Sequence, residues 1–377
     1  MREYLTVFLV AAVITYLLGV IAREIALRTG AVARVRDRDV HAIPIPYFGG
    51  LAMLGGLGAG YVVARQLPFL SLSDDQIFRD AGVVLIAGGL ICAVGVLDDL
   101  LELDALTKFG GQLLAAGFLV FFDVQYYSIQ LPGGQIALDT TQAALASVVV
   151  VVATVNAVNF VDGLDGLAAG VVGIGAVAFF LFSYQIAEAN NETLAISAAL
   201  LTAALGGAAA GFLPHNFFPA RIFMGDSGSM LIGLVLAGSA LTLTGQFPSG
   251  GLQQGVGGSE ASLLPTLLPI ILPIAILIVP FVDLVLAVVR RTRAGRSPFA
   301  PDKQHLHHRL LEIGHSHRRA VLIMWLWASL IAFGGVLASL YSGRLTSAIL
   351  AGWVLLTVVL TFVVPRAHRR GTPAPGL

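Results

Sequence analysis

Apolar segments of about twenty residues follow one another along this chain with only short polar breaks, and few folds accommodate that succession. A helix needs roughly 20 apolar residues to cross the hydrocarbon core of a bilayer, since each residue advances it by about 1.5 Å. Eleven spans are expected, near 4–22, 48–65, 81–97, 108–122, 143–158, 166–186, 194–213, 229–246, 264–289, 321–341 and 346–364. Composition agrees: 57% of the 377 residues are hydrophobic and 12% are charged, against about 25% charged in a typical soluble domain. The expected fold is an all-α polytopic membrane protein with about eleven transmembrane helices. It forms one domain over 1–377 and carries a His- and Arg-rich loop at 290–320.

Lys and Arg set the orientation, because cytoplasmic loops carry the excess of positive charge. With the N-terminus outside and the C-terminus cytoplasmic, 18 of the 22 basic residues fall inside; Arg2, Arg65, Arg79 and Arg344 are left outside. The first apolar run is not read as a secretory leader, since Ala31-Val32-Ala33 lies too far beyond it and Arg2 is paired with Glu3. Net charge is zero, so no global field attracts nucleic acid. The single cysteine, Cys92, sits in an apolar run and reads as inert packing.

Outside segments are bland. Tyr126 to Leu138 alternates loosely around Pro132-Gly133-Gly134, which predicts a small external β-hairpin. Residues 247–262 read as a Gly/Ser/Gln-rich loop, and Pro265, Pro269, Pro273 and Pro280 predict a bent ninth span. Asp283 near its inner end reads equally as an ion-pair partner of Arg290 or as a site residue. No internal repeat is visible.

The concentrated polar motifs all fall on the inside. The first inside loop holds Arg38 and ends in His41-Ala-Ile-Pro44-Ile-Pro46-Tyr-Phe-Gly49-Gly50; the second opens with Asp98-Asp99 and closes at Lys108. The third carries Asn156, Asn159, Asp162 and Asp165, spaced by three so that neighbours in the series share a helical face. The fourth runs from Pro214 through Phe223 to Gly225-Asp226-Ser227-Gly228, and the fifth contains His305-Leu-His307-His308.

Five carboxylates (Asp98, Asp99, Asp162, Asp165, Asp226) gathered at one membrane face repel each other unless a cation joins them. Mg²⁺ suits such oxygen donors and keeps coordination places for water and phosphate; Mn²⁺ is the alternative. The surrounding His and Arg suit phosphates, and the four residues from Gly225 are expected to precede a helix and offer free backbone N–H groups. Each motif also has a plain reading. An Asp pair is commonly a solvated helix end, the Asn/Asp series is a polar helix terminus breaking at glycines, and a His cluster can bind Zn²⁺. Their joint placement on one face carries more weight than any one of them.

Asp98-Asp99, Asn156-x-x-Asn159-x-x-Asp162-Gly-x-Asp165-Gly, Phe223-Met-Gly-Asp226-Ser-Gly-Ser and His305-x-His307-His308 resemble, in order, the signature motifs of the polyprenyl-phosphate N-acetylhexosamine-1-phosphate transferases. The likeness runs from about residue 34 to 320. The His-x-His-His form is similar to the UDP-N-acetylglucosamine branch, whereas enzymes making lipid I from UDP-MurNAc-pentapeptide more often carry three consecutive histidines. The resemblance implies transfer of GlcNAc-1-phosphate from a UDP-sugar to an undecaprenyl or decaprenyl phosphate at the cytoplasmic face of a bacterial plasma membrane. UMP is released, and cell-envelope glycan synthesis begins.

The resemblance further implies Asp226 as the principal Mg²⁺ ligand with Asn159 as a second, and Phe223 as an aromatic stacking on uracil. It places Asp162 and Asn156 near the nucleotide, and His305, His307 and His308 on sugar or phosphate. Asp98 stands where the family has its proposed base, with Asp99 beside it; Asp162 and Asp165 complete the catalytic set. Lys108, Arg38 and His41 join the substrate-binding set, and a homodimer is a further expectation. The first loop departs from the pattern: Asp39-Val40 separates Arg38 from His41, and Tyr47 stands where relatives often have Arg. A secondary transporter is the rival class, but its binding groups belong near the midplane on repeated broken helices. A scaffold without chemistry leaves the coincidence of five motifs unexplained.

Overall fold

The computed structural model describes residues 1–33, 44–131, 134–190, 194–244, 292–293, 315–341 and 343–363. Over these the chain is a bundle of helices: α1 Arg2–Thr29, α2 Gly49–Ala64, the single turn α3 Pro68–Ser71, α4 Asp75–Leu101, α5 Ala105–Phe121, α6 Thr140–Val161, α7 Leu167–Asn190, α8 Leu194–Asn216 and α9 Gly225–Thr244. Beyond the long undescribed stretch follow α10 His317–Leu340 and α11 Arg344–Val358, the latter widening into a π-turn at Val359–Val363. Eight of the described helices are long and apolar enough to cross a membrane, and α2 and α5 are shorter apolar helices. Ten of the eleven expected spans therefore coincide with helices; the ninth, with Asp283 and its prolines, lies outside the described residues. The protein is an all-α multi-pass membrane protein.

Helix ends are set locally. Asp74 caps α4 by accepting the Gln76 N–H at 3.0 Å, and Asp139 with Gln142 forms a capping box on α6. Asp104 caps α5 through the N–H groups of Leu106 and Thr107 and accepts the Thr107 hydroxyl at 2.6 Å; these bonds, the hydroxyl first, hold its carboxyl below the usual range. The predicted hairpin is present as β1 Ser128–Leu131 and β2 Gly134–Ala137, antiparallel with Ser128 opposite Ala137 and Leu131 opposite Gly134.

The centre of the bundle is α9, which packs on α2, α4, α6, α7 and α8. Its apolar residues, among them Met230, Leu231, Ile232, Leu234, Val235 and Leu236, are all fully buried. A helix apolar on every side is stable when surrounded on every side. By contrast α1 turns Leu5, Leu9, Val13 and Leu17 outward, and α11 exposes most of its length. In water those rows would be costly; in a bilayer they are the lipid face. Being central, α9 brings its N-terminus up against the ends of the helices around it.

Candidate functional site

At one end of the bundle, the α9 N-terminus, the last turns of α4 and α6 and the first turns of α5 and α2 converge. The approach is at backbone distance. Gly95 of α4 lies so close to α9 that a Cβ there would stand 2.4 Å from the Ser227 backbone, and the N–H groups of Gly49 and Gly50 donate to the carbonyls of Phe223 and Met224 at 3.1 Å each. An isolated antiparallel bridge pairs Val32 with Pro46, and the Pro46 carbonyl accepts the Phe223 N–H at 2.8 Å.

The two adjacent aspartates divide there. The Asp99 carboxylate accepts the backbone N–H groups of Asp226 at 2.7 Å and Ser227 at 3.2 Å, so it caps α9 from a different helix. Gly225 makes room for it, with φ at +70° and a position where a Cβ would fall 2.4 Å from an Asp99 oxygen. The structure thus corrects one expectation. Gly225 to Gly228 form the first turn of α9 rather than a segment before it, and the N–H groups of Asp226 and Ser227 are engaged by Asp99 instead of being free for an anion.

Asp98, one residue earlier on the helix, faces another way. One of its oxygens accepts the Leu103 N–H at 2.9 Å, and the other lies 3.0 Å from the Lys108 ammonium. The same ammonium is hydrogen-bonded to the Asp226 carboxylate. The second Asp226 oxygen accepts from the Asn159 side-chain amide at 2.7 Å, and that amide also donates to the Ser229 hydroxyl at 2.8 Å. Asp98, Asp99, Lys108, Asn159 and Asp226, expected as site residues and spread over 129 positions of sequence, are therefore one cluster. The Asp226 side chain is 29% exposed and that of Asp98 is 11% exposed, so Asp226 is the oxygen donor more open to a substrate or ion.

The remaining expected residues form a second layer. Asp162 ends α6, half-buried, and burial pushes its carboxyl up to about 8, with Asp226, Asp99 and Asp165 adding repulsion. Asp165 is buried and accepts the Ala220 N–H at 2.9 Å, so it ties its loop to the one that carries Phe223. Asn156 exchanges amide hydrogen bonds with Gln112 at 2.6 and 3.2 Å. Phe223 is half-buried with its ring centroid 6.4 Å from that of Tyr47. Arg38, His41, His305, His307 and His308 lie outside the described residues.

Three contributors were given no role by the sequence reading, although Asn216 lies within the fourth polar motif and Ser229 ends the signature that begins at Phe223. Gln112 is the polar interruption of an apolar run, one turn from Lys108 on the same face of α5. Asn216 accepts the Gly166 N–H at 2.9 Å and donates to the Ile222 carbonyl at 3.0 Å, a second staple between the two loops. Ser229, one turn after Asp226, orients Asn159.

The donor chemistry fits a divalent cation. Two carboxylates, Asp98 and Asp226, meet at one ammonium that plays the part of a cation between them, with the Asn159 carboxamide on the second Asp226 oxygen and Asp99 next along the chain. Among the described residues no three His, Cys, Asp or Glu side chains are poised together to hold a metal ion, so the carboxylates are at present arranged around Lys108.

The model of glycosyl transferase family 4 matches residues 81–244, which includes every member of this cluster. The chain is 46% identical over 368 residues to the decaprenyl-phosphate N-acetylglucosaminephosphotransferase of Mycobacterium tuberculosis, covering 96% of this chain and 89% of that protein. It is 32% identical over 335 residues to a probable undecaprenyl-phosphate N-acetylglucosaminyl 1-phosphate transferase of Bacillus subtilis, with 86% and 82% covered. To the undecaprenyl-phosphate alpha-N-acetylglucosaminyl 1-phosphate transferase of Yersinia pestis it is 27% identical over 344 residues. A cluster drawn from four helix ends, inside the matched region and within a likeness that spans nearly the whole chain, places this protein in glycosyl transferase family 4.

Proposed function

We propose that the protein transfers N-acetylglucosamine 1-phosphate from UDP-N-acetylglucosamine to a polyprenyl phosphate and releases UMP, at the cytoplasmic face of the plasma membrane. The observation that carries this reading is the meeting of Asp98, Asp99, Lys108, Asn159 and Asp226 at the α9 N-terminus, combined with relatives named for that transfer. Those names favour N-acetylglucosamine over a MurNAc-peptide donor.

Asp226, with Asn159 beside it, would hold Mg²⁺. Bound there, it would offset the charge of the donor diphosphate and make the departing UMP oxygen a better leaving group. An oxygen of the lipid phosphate attacks the β-phosphorus of the donor in line. The new P–O bond forms as the bond to the bridging oxygen breaks, and that electron pair leaves with UMP. A phosphate monoester has a second pKa near 6 and is mostly dianionic at pH 7, so no strong base is required. Asp98 is therefore assigned to holding the cationic groups, and Asp99 to holding α9 in place. Lys108 meets the phosphates, Phe223 stacks on uracil, and Asp162 and Asn156 border the nucleotide. Arg38, His41, His305, His307 and His308 complete the anion-binding set.

Purified protein in detergent, given Mg²⁺, a short prenyl phosphate and in turn UDP-GlcNAc, UDP-GalNAc and UDP-MurNAc-pentapeptide, should release UMP with the first. No UMP from any of the three would overturn the assignment. A covalent phosphorylated enzyme trapped from donor alone would replace the single displacement with two steps through an aspartyl phosphate.

A further inference from the structure

The Lys108 ammonium lies between Asp98 and Asp226, the two carboxylates of the cluster that each turn one oxygen to it. Asp99 cannot take over, because both its oxygens are engaged by the α9 backbone. Any divalent cation that uses Asp226 must therefore share it with Lys108 or expel it. Sharing brings an ammonium beside a doubly charged ion, an arrangement opposed by Coulomb repulsion in a site only partly open to water. Expulsion is easy in structural terms. Lys108 sits in the first turn of α5, and Asp104 holds the backbone of that turn through Leu106 and Thr107. The four-carbon stem can swing while the helix stays.

We infer that Lys108 and the divalent cation compete for the Asp98–Asp226 pair, so that the ion enters as the ammonium swings out to a substrate phosphate. The inference rests on the proposed metal and phosphate reading and adds to it a coupling between the two. In the free protein Lys108 satisfies the carboxylates and weakens the ion site. A phosphate that draws Lys108 away strengthens ion binding, and by linkage the ion strengthens phosphate binding by the same factor. The carboxylate pair thereby has a cation at each stage: an ammonium, offsetting one of its two charges, when empty, and metal when loaded. It also predicts that ion and anionic substrate assemble together rather than independently.

The test measures Mn²⁺ binding to the full chain in detergent by electron paramagnetic resonance, with and without a short prenyl phosphate. In the wild type the phosphate should tighten Mn²⁺ binding about tenfold, a coupling of about 1.4 kcal/mol. Lys108→Met should bind Mn²⁺ about tenfold more tightly than wild type without phosphate, and the phosphate should no longer shift it. Lys108→Arg, which keeps the charge, should stay near the wild-type affinity; thermal unfolding shows whether each variant is folded. Wild type that binds Mn²⁺ while Lys108→Met binds equally or more weakly overturns the competition and leaves the metal reading standing. Wild type that binds no Mn²⁺ under either condition overturns the metal reading itself.

Discussion

Asp80 and Asp98 lie on the same helix, five turns and about 27 Å apart, and each buries a carboxylate in a membrane protein. Asp80 is 2% exposed and is compensated within its own segment, by the Arg79 guanidinium at 3.6 Å, beside the hairpin end of the bundle. Asp98 is compensated by Lys108 from α5, and that ammonium is in turn shared with Asp226 from α9. The first arrangement is a local pair of adjacent residues on one helix. The second is open, because its charges come from separate helices. Burial of an acid alone does not mark a site; the convergence of exchangeable partners does.

The largest expected effect separates these two acids directly. Asp226→Asn should lower UMP release by about a thousandfold, since it removes charge at the reacting phosphates, whereas Asp80→Asn should leave turnover within about threefold and lower the unfolding temperature instead. Equal losses in both variants would erase the distinction. Next comes the cap. Gly225→Ala adds a Cβ at the Asp99 carboxylate and at positive φ, so it should cost about 1–2 kcal/mol and reduce kcat by at least about tenfold with little change in donor KM. Unaltered kcat would show that Asp99 does not position Asp226.

A subtler test uses pH. The Asp162 carboxyl is raised to about 8, so its charged form is disfavoured in the fold, and the penalty grows as pH rises from the ordinary carboxylate range toward 8. Asp162→Asn should therefore gain stability over wild type progressively between about pH 4 and pH 8, levelling off above, in the absence of divalent ions, as read by thermal unfolding. A difference independent of pH would contradict the raised value. The smallest effect belongs to the hairpin end: Ser147→Ala removes the acceptor of the Tyr126 N–H at 2.8 Å and should cost about 1 kcal/mol with turnover unchanged.

Much of the fold was legible because a bilayer imposes one length scale, and ten expected spans coincide with helices. Less legible was the difference between Asp98 and Asp99. As neighbours on a helix their side chains point about 100° apart, so one can cap α9 while the other meets Lys108. Nothing in the dipeptide says which does which, because the answer depends on where α9 begins. The staples made by Asp165 and Asn216 were hidden for the same reason: each bonds a backbone group more than five residues away or across a loop, where no periodicity reaches. The role of Gly225 likewise follows from an oxygen contributed by a residue 126 positions earlier.

Taken alone, the order of residues determined that this chain is a multi-pass helical protein and that the acids and amides of its motifs belong at span ends. Apolar length and the scarcity of charge are one-dimensional properties, and the bilayer reads them directly. Which carboxylate holds a helix and which stays open to a cation was decided only when α4, α5, α6 and α9 packed end to end, because a hydrogen bond is a matter of ångströms and direction that spacing along the chain does not contain.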